Sequence, residues 1–312
     1  MENVLIIGGS YFVGRVFVEE LVKETGYSIH VLNRGNVPLN MEGVHEISCD
    51  RKDVDGLRQK IPNLDWLAIV DFCAYEPLDI KNLISVLPED SFKQYIYIST
   101  TSIYKDTLQL PLLEDSPKLT GPQPELGPQM ADYAFNKWLG ELELLKQCRQ
   151  RKFHYTFLRP AIIYGKYNYA PRESWFFDMI HQDKTIVLPD NELALFQFVS
   201  VWDVAKIIIA CLGNENVFDK AFNLSADDLV SYRRFVEVLK ETTGKRIAVR
   251  TDSIANIDQQ RIPLPFPLDK HLIYSGALIQ RTICFQYTPF KEGMRQTYEH
   301  YKLSSRPPSV RQ

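Results

Sequence analysis

The first 35 residues contain the pattern that most limits the fold. Residues 3–7 (NVLII) form a continuous apolar run that ends at Gly8 and Gly9, and an amphipathic segment, 13–24, follows immediately. A second strand-like run, residues 28–35 (SIHVLNRG), comes next. A short apolar run that meets a glycine turn and then a helical period is typical of a buried parallel strand followed by a helix. The sequence therefore predicts a βαβ unit at the start of an α/β protein.

The turn between the first strand and the helix is a candidate dinucleotide site. A glycine turn at a helix N-terminus presents free backbone N–H groups and the positive end of the helix dipole, which together suit a pyrophosphate. The G-x-x-G-x-x-G spacing is incomplete because Tyr11 stands where the middle glycine would be, so an ordinary strand-to-helix turn remains the alternative. If the turn holds a cofactor, the binding residues are Gly8, Gly9, Ser10, Tyr11, Phe12, Val13 and Gly14.

The end of the second strand indicates which cofactor is preferred. An acidic residue at that position accepts a hydrogen bond from a ribose 2′-hydroxyl, whereas an arginine can pair with a 2′-phosphate. The chain has Asn33 and Arg34 there and no acid. This favours NADP over NAD, with the alternative that Arg34 is a solvated loop charge.

Four further strands are predicted, and their C-terminal ends should border the same crevice, because ligands bind there in open α/β sheets. In chain order these strands end at Asp50-Arg51, at Phe72-Cys73-Ala74, in the hydroxyl run 99–102, and at Pro160. Residues 106–128 lack periodicity, which predicts a long loop of the kind that often covers an active site.

Three Tyr-x-x-x-Lys pairs occur in the chain: Tyr133/Lys137, Tyr287/Lys291 and Tyr298/Lys302. Two such side chains on one helix can share a proton-transfer site, because residues four apart are neighbours on a helix surface. Pro289 interrupts the second pair, and the third lies near a charged tail, but the pattern alone leaves the choice open. The first pair lies in a predicted helix that runs from Gln129 or Asp132 to about Gln150.

Composition argues against several classes of protein, although local charged patches remain possible. A net charge of −3 and a pI of about 6.1 give no basic field that would attract nucleic acid or anionic lipid. The five cysteines are widely spaced and show no metal-ligand spacing, which favours a reducing compartment and predicts no metal site. The N-terminus lacks the pattern of a signal peptide, and no apolar run approaches the roughly 18 to 20 residues that cross a bilayer. We therefore expect a cytoplasmic protein.

Six motifs, in order along the chain, resemble the extended short-chain dehydrogenase/reductase superfamily and, within it, the NAD-dependent epimerase/dehydratase family. They are GGSYFVG (8–14), CDRKD (49–53), STTSIY (99–104), YAFNK (133–137), LRPAIIYG (158–165) and VWDVA (201–205). The NRG after the second strand and the NYAPRE segment (168–173) are similar to the branch that includes chloroplast stem-loop-binding proteins and many bacterial epimerase-like proteins.

The resemblance implies a doubly wound Rossmann-type α/β fold, with a parallel sheet of about seven strands and a smaller, interleaved C-terminal substrate domain. The NAD(P)-binding domain is expected over 1–165 plus about 199–225, and the substrate domain over 166–198 and 226–312. Thr100, Tyr133 and Lys137 are implied as catalytic, because only this pair follows the fifth strand and precedes the sixth. The cofactor-binding residues expected besides the glycine turn are Asn33, Arg34, Asp50, Arg51, Phe72, Cys73, Ala74, Tyr133, Lys137 and Pro160.

The implied activity is that of an NAD(P)-dependent epimerase or reductase of a nucleotide-linked sugar or a similar carbonyl or alcohol. Lys137 is expected to lower the pKa of Tyr133, which exchanges a proton with the substrate oxygen while Thr100 holds that oxygen. The family's 4,6-dehydratases carry an Asp-Glu pair where this chain has Thr101 and Ser102. Neither hydroxyl is a ready acid at neutral pH, so dehydration is disfavoured.

Asn168 and Arg172 are the expected substrate-binding residues. Arg172 could clamp a phosphate or a carboxylate, with an ordinary surface arginine as the alternative. The family's habit implies a homodimer. The alternative function is a non-catalytic, RNA-binding or regulatory protein on the same fold, since the branch includes RNA-associated members. The intact catalytic trio and the acidic net charge favour the enzyme.

Overall fold

The computed structural model describes residues 1–127, 130–191 and 193–304 of the protein. Its strands, numbered in chain order, are β1 (Glu2–Ile7), β2 (Tyr27–Asn33), β3 (Val44–Ser48), β4 (Trp66–Asp71), β5 (Phe92–Ile98), β6 (His154–Pro160), β7 (Ile162–Tyr164), β8 (Ile186–Pro189), β9 (Phe198–Ser200), β10 (Lys220–Leu224) and β11 (Val249–Asp252). Seven of them form one parallel sheet in the order β10-β6-β5-β4-β1-β2-β3. The pairs β7–β9 and β8–β11 lie outside it.

Helices cover both faces of the sheet. Numbered in chain order, they are α1 (Phe12–Leu21), α2 (Val54–Lys60), α3 (Pro77–Val86), α4 (Tyr133–Arg151), α5 (Glu173–His181), α6 (Val201–Cys211), α7 (Tyr232–Thr243), α8 (Ile254–Gln259), α9 (Ala277–Ile283) and α10 (Phe290–Ser304). Helices α1, α6 and α9 share one apolar core with the sheet, and α2, α3 and α4 share the core on its other face. This arrangement confirms the predicted doubly wound α/β fold.

A third core lies in the C-terminal part of the chain and is rich in aromatic side chains. Helices α5, α7 and α10 pack around it, with Phe176, Phe198, Phe235 and Phe290 among its buried members. Aromatic rings fill space efficiently and gain from edge and offset contacts with one another. Among the described residues, no helix is long and apolar enough to cross a membrane.

The boundaries of several elements follow local sequence signals. Helix α4 begins at Tyr133, close to the predicted Asp132, whereas the alternative start at Gln129 falls outside the described residues. Helix α6 starts after Ser200, whose hydroxyl accepts a hydrogen bond from the Trp202 N–H at 3.2 Å, as expected of an N-cap. Helix α10 begins directly after Pro289, so Tyr287 and Lys291 do not share a helix.

Gly140 lets α4 approach the sheet closely. A methyl group at this position would stand 2.7 Å from the Tyr97 hydroxyl of β5, which is itself fixed by a hydrogen bond to the Ala74 carbonyl at 3.0 Å. The close approach sets the distance between the sheet and the turn of α4 that carries Tyr133 and Lys137. A larger residue would have to displace either the helix or the tyrosine.

Gly140→Ala should therefore destabilise the protein although alanine favours helices. Overpacking costs about 1 to 3 kcal/mol and the gain in helix propensity is about 1 kcal/mol, so we expect a net loss of up to about 2 kcal/mol in the free energy of unfolding. Urea unfolding measures the difference, and Leu142→Ala, at an exposed position of the same helix, is the control. A more stable Gly140→Ala protein would contradict the close approach.

Candidate active site

A cleft of about 1210 Å³ opens at the carboxyl ends of the parallel strands. It is lined by the turn after β1, by the ends of the neighbouring strands, and by parts of the loop 106–127 and of the segments 168–172 and 267–274. A site for one small ligand usually measures about 300 to 1,000 Å³. The cleft therefore has room for a dinucleotide and a second molecule.

The glycine turn lines the cleft and fits a pyrophosphate. Tyr11, which precedes α1, makes no side-chain cap, and the first turn of the helix holds no acidic residue, so no side chain in the described part of the chain caps its N–H groups. The buried Ser10 hydroxyl has no hydrogen-bond partner among the described residues. A methyl group at Gly14 would stand 2.5 Å from the Gly8 carbonyl oxygen, so only glycine permits this close approach of helix and turn.

The residues at the end of β2 differ in whether their side chains are free to bind a ligand. The Asn33 side chain is occupied, because its oxygen accepts from the Gly35 N–H at 2.7 Å and its amide donates to Glu46 at 3.3 Å. Arg34 is exposed and lines the cleft, and it makes no ion pair within the described ranges. Its guanidinium is therefore available to an anionic ligand.

Arg51 and Asp71 form a buried ion pair beneath the cleft. The guanidinium donates to both carboxylate oxygens at 2.8 and 3.0 Å, and the Tyr95 hydroxyl donates to the same carboxylate at 2.6 Å. The backbone N–H groups of Cys73 and Ala74 add bonds of 3.0 and 2.9 Å. Burial would raise the pKa of Asp71, but the Arg51 charge and these bonds hold it below its usual value. Arg51, expected at the cofactor, thus has its charge neutralised by Asp71.

The other expected cofactor residues fall into two groups. Asp50, Phe72, Cys73 and Pro160 line the cleft, whereas Gly9 and Ala74 are buried below its surface. Burial raises the pKa of the Cys73 thiol to about 11, so this cysteine is a neutral part of the cleft wall at physiological pH.

Thr100, Tyr133 and Lys137 lie together in the cleft. The Thr100 hydroxyl is close enough to Tyr133 to oppose the rise of the Tyr133 pKa, and it donates to the Ser102 hydroxyl at 3.2 Å. Lys137, one turn further along α4, is buried and donates to the carbonyl oxygens of Ala74 at 2.9 Å and Ile98 at 2.8 Å. An ammonium has three N–H donors, so one remains for a ligand. The structure thus brings together the three side chains that the sequence singles out.

Burial is the largest influence on the pKa values of Tyr133 and Lys137. It raises the pKa of Tyr133 and lowers the pKa of Lys137 to about 8. The sequence predicts that Lys137 lowers the pKa of Tyr133, but in the structure the groups that oppose the rise are the Thr100 hydroxyl and the Arg172 guanidinium. The physical reason is that the burial of Tyr133 outweighs these opposing groups.

The two expected substrate residues differ in their availability. Both line the cleft, but the Asn168 amide donates to the two carboxylate oxygens of the buried Glu173 at 3.0 and 3.1 Å, and its oxygen accepts from the Ala170 N–H at 3.0 Å. Asn168 therefore shapes the local backbone. Arg172 donates to the Ile163 carbonyl at 3.2 Å and retains further N–H donors for a ligand.

Residues 166–169, called the strap below, connect the substrate side of the cleft to α1. The Lys166 ammonium and the Tyr167 hydroxyl both donate to Glu19 of α1, at 2.6 and 2.8 Å. The Tyr169 ring meets Phe12 edge-on with 6.0 Å between ring centres. Phe12 has a left-handed φ of +37°, a strain of about 1 to 2 kcal/mol for a bulky residue. The strap therefore holds the segment that carries Arg172 against the helix that follows the glycine turn.

A second buried ion pair anchors the long loop that forms one wall of the cleft. Arg159 of β6 donates to both carboxylate oxygens of Glu141 on α4, at 2.9 and 2.6 Å, and to the Tyr104 hydroxyl and the Glu114 carbonyl, at 2.9 and 2.8 Å. Asn223 of β10 accepts from the Tyr104 hydroxyl at 2.6 Å, and its N–H donates to the Glu114 side chain at 3.0 Å. The wall is thus tied to a helix and two strands.

Sequence reasoning missed Asp71 and Arg159 as organisers of the site, and it did not single out Tyr75, which lines the cleft. Each stands next to a residue that was identified: Asp71 is the last residue of β4, Tyr75 follows Ala74, and Arg159 precedes Pro160. Their positions at the carboxyl ends of strands were the available signal. Their partners lie far away in the chain and leave no local pattern.

Comparison with known proteins agrees with this geometry. Residues 4–225, which run from β1 to the end of β10, match the sequence model of the NAD dependent epimerase/dehydratase family. The chain belongs to this family. The match covers the glycine turn, the strand ends and the segment from Thr100 to Lys137, so it includes most of the cleft.

Individual relatives are more distant. The chloroplast stem-loop binding protein of 41 kDa b from Arabidopsis thaliana is 26% identical over 78% of this chain, and the match spans 64% of the plant protein. Human dTDP-D-glucose 4,6-dehydratase is 20% identical, with 96% of this chain and 90% of the human protein covered. The UDP-glucose 4-epimerase of Thermus thermophilus, solved in complex with NAD, has a TM-score of 0.75 at 20% identity and covers 96% of this chain and 99% of its own.

Asp71→Asn should strongly destabilise this family member. The substitution keeps the size of the side chain but removes the carboxylate in closest contact with the buried Arg51 charge, which keeps only the Asp79 carboxylate at 3.6 Å, so we expect a loss of about 3 kcal/mol at pH 7. Because the folded-state pKa of Asp71 is lowered, its stabilising effect is present above the unfolded value of about 3.9 and is lost as the pH falls through the folded value.

Denaturant unfolding of both proteins from pH 7 to pH 3 measures this difference, which should shrink below about pH 4. Asp55→Asn is the matched control, because Asp55 pairs with Arg58 in an exposed ion pair on α2. Such surface pairs contribute little, so this variant should unfold like the native protein. Equal stability of the Asp71 and Asp55 variants would contradict the importance of the buried pair.

Proposed function

We propose that the protein is an NAD(P)-dependent epimerase or reductase that acts on a hydroxyl or carbonyl group of a nucleotide-linked sugar. The observation that carries the proposal is the meeting of Thr100, Tyr133 and Lys137 in a cleft that also contains a free helix N-terminus. Membership of the epimerase/dehydratase family supports the reaction class. The names of the distant relatives, which include enzymes of UDP-glucose and dTDP-D-glucose, support the substrate class.

Several residues fit the parts of a nicotinamide dinucleotide. The first turn of α1 and the Ser10 hydroxyl would hold the pyrophosphate, Arg34 a phosphate on the adenosine ribose, and the third N–H of Lys137 a ribose hydroxyl. When bound, the nicotinamide supplies a hydride acceptor or donor. Arg34 favours NADP, although the solved Thermus relative contains NAD.

The chain's own residues would handle the proton. The Tyr133 hydroxyl would give its proton to a substrate carbonyl oxygen on reduction, and the Tyr133 phenolate would accept the proton of the substrate hydroxyl on oxidation. Thr100 would donate a hydrogen bond to the same substrate oxygen and fix its position. Because burial raises the pKa of Tyr133, the residue is protonated at neutral pH and ready to act as the acid.

Loss of water from the sugar is not part of the proposed reaction. Thr101 donates to the Pro160 carbonyl at 3.3 Å, so its hydroxyl is turned into the protein, and Ser102 presents only a hydroxyl to the cleft. Neither group can act as an acid or a base at neutral pH without a strongly shifted pKa. Arg172 is the proposed contact for the anionic part of the substrate.

The proposal is tested by titrating the purified protein with NADH and NADPH and then following nicotinamide fluorescence with a panel of sugar nucleotides. Binding of a reduced cofactor followed by a change in its fluorescence on addition of one sugar nucleotide supports the enzyme. Failure to bind either cofactor would reject it. Stem-loop RNA binding, after which the Arabidopsis relative is named, would then become the first function to examine.

Tyr133→Phe should lower the turnover rate by about 100-fold or more, because the group that gives and accepts the proton is removed. Cofactor affinity should stay within about twofold, since the ring remains. Tyr298→Phe is a matched control: Tyr298 and Lys302 form the same Tyr-x-x-x-Lys pattern on α10, but Tyr298 lies in the C-terminal core and contacts His181 at 3.0 Å. Turnover retained by Tyr133→Phe would remove Tyr133 from the mechanism.

Arg34→Ala should weaken NADPH binding by about 10- to 100-fold, because one or two charge-assisted hydrogen bonds to a phosphate are worth roughly 1.5 to 3 kcal/mol. NADH binding should not change. Fluorescence titration of both cofactors measures the effect, and Arg58→Ala on α2 controls for the loss of one surface charge. An equal effect on both cofactors, or on neither, would count against NADP as the preferred cofactor.

A further inference from the structure

Tyr75 lies beside the reaction centre on a rigid turn. It follows β4, and its N–H donates to the buried Asp79 carboxylate at 2.9 Å, as does the N–H of Glu76 at 3.1 Å. Asp79 in turn lies 3.6 Å from the Arg51 guanidinium. The Tyr75 residue is 51% exposed and lines the cleft. A fixed backbone therefore presents this ring to the cleft.

The Lys137 ammonium is enclosed by two aromatic rings. Its nitrogen lies 5.2 Å from the centre of the Tyr75 ring and 4.7 Å from the centre of the Tyr97 ring. Only 2% of Lys137 is exposed, and no carboxylate of the described residues forms an ion pair with it. A cation within about 6 Å of a ring face is attracted by the ring quadrupole, more strongly when it is desolvated. Two carbonyl oxygens and two ring faces therefore hold a buried charge.

Tyr75 also adjoins the second member of the pair. The Tyr75 and Tyr133 rings are 6.4 Å apart and inclined by 46°. Tyr97, by contrast, is fully buried, and its hydroxyl donates to the Ala74 carbonyl. Of the two rings over Lys137, Tyr75 is thus the one that faces the cleft and Tyr133.

We propose that Tyr75 is a positioning residue of the reaction, whose ring face holds the Lys137 ammonium in place beside Tyr133. The proposal rests on the proposed function for the use of Lys137, but the interaction between ring and ammonium exists in the protein alone. It assigns a role to a tyrosine outside the predicted trio.

The charges around Lys137 are compatible with this role. Burial lowers the pKa of Lys137 to about 8, and the nearby groups act in both directions: Asp71, Cys73 and Asp79 raise it, and Arg51 lowers it. Burial also raises the pKa of Tyr75 to about 12, so its ring is neutral wherever Lys137 titrates. The ring therefore acts through its face and not as a phenolate. Because the face favours the ammonium form, its removal should lower the pKa of Lys137.

The first test is an NMR titration of the protein without cofactor, with lysines labelled with ¹³C at Cε and the Lys137 signal assigned through Lys137→Arg. We expect a midpoint near pH 8 for the native protein. Tyr75→Leu, which keeps most of the apolar volume and so keeps water out, should move the midpoint down by about half to one pH unit. Tyr75→Phe, which keeps the ring, should leave the midpoint unchanged.

Tyr155→Leu is the matched control. Tyr155 stacks on Phe157 at 4.6 Å, at the start of β6, and no lysine or arginine of the described residues lies over its ring. Removal of the Tyr155 ring should leave the titration midpoint of Lys137 unchanged. Tyr75→Met provides a second variant without a ring if the leucine variant unfolds.

Two results would overturn the proposal. One is an unchanged Lys137 midpoint in both variants that lack the ring. The other is an equal shift in Tyr75→Phe and Tyr75→Leu, which would make the hydroxyl the active group. In the enzyme with cofactor and substrate, the alkaline limb of the kcat/KM profile should move with the midpoint. A protein that shows the NMR shift but no turnover would refute the proposed function and leave the role of the ring intact.

Discussion

The Asp71 carboxylate has no contact with solvent, and the carboxyl edge of the sheet is arranged around it. A buried carboxylate is tolerated only when paired and fully hydrogen-bonded. Arg51, Tyr95 and two backbone N–H groups meet this demand. They thereby fix the turn after β4, whose Ala74 carbonyl receives the Lys137 ammonium. The position of the Lys137 ammonium therefore depends on a buried charge pair.

Exclusion of water makes hydrogen-bond partners necessary for Asp71, and it also shifts the pKa values of the residues in the cleft. Burial disfavours the charged form of every group, so it raises the pKa values of Tyr133 and Cys73 and lowers that of Lys137. Asp71 escapes this trend because its cation is in direct contact. Tyr133 does not, because its burial outweighs the opposing effects of the Thr100 hydroxyl and the Arg172 guanidinium.

Periodicity and turn residues predicted the architecture well because they report on backbone and burial. The βαβ start, the strand ends and the α4 helix all follow from short apolar or amphipathic runs and their flanking residues. The sequence could not show that Arg51 pairs with Asp71, 20 residues away. It also could not show that the Asn168 amide donates to Glu173, or that the Tyr75 ring lies over the Lys137 ammonium. Such partnerships depend on side-chain packing across the fold, for which a single sequence carries no periodic signal.

The position of β10 late in the chain has a consequence for folding during synthesis. This strand completes the sheet beside β6, yet about 60 residues separate the two strands in the chain. During synthesis at about 5 to 20 residues per second, β6 keeps an open edge for several seconds, and such edges invite wrong pairing. Asn223, on the same strand, also holds Tyr104 and Glu114 of the cleft wall. Closure of the sheet and anchoring of this wall thus depend on the same strand, and a chain interrupted before residue 220 lacks both.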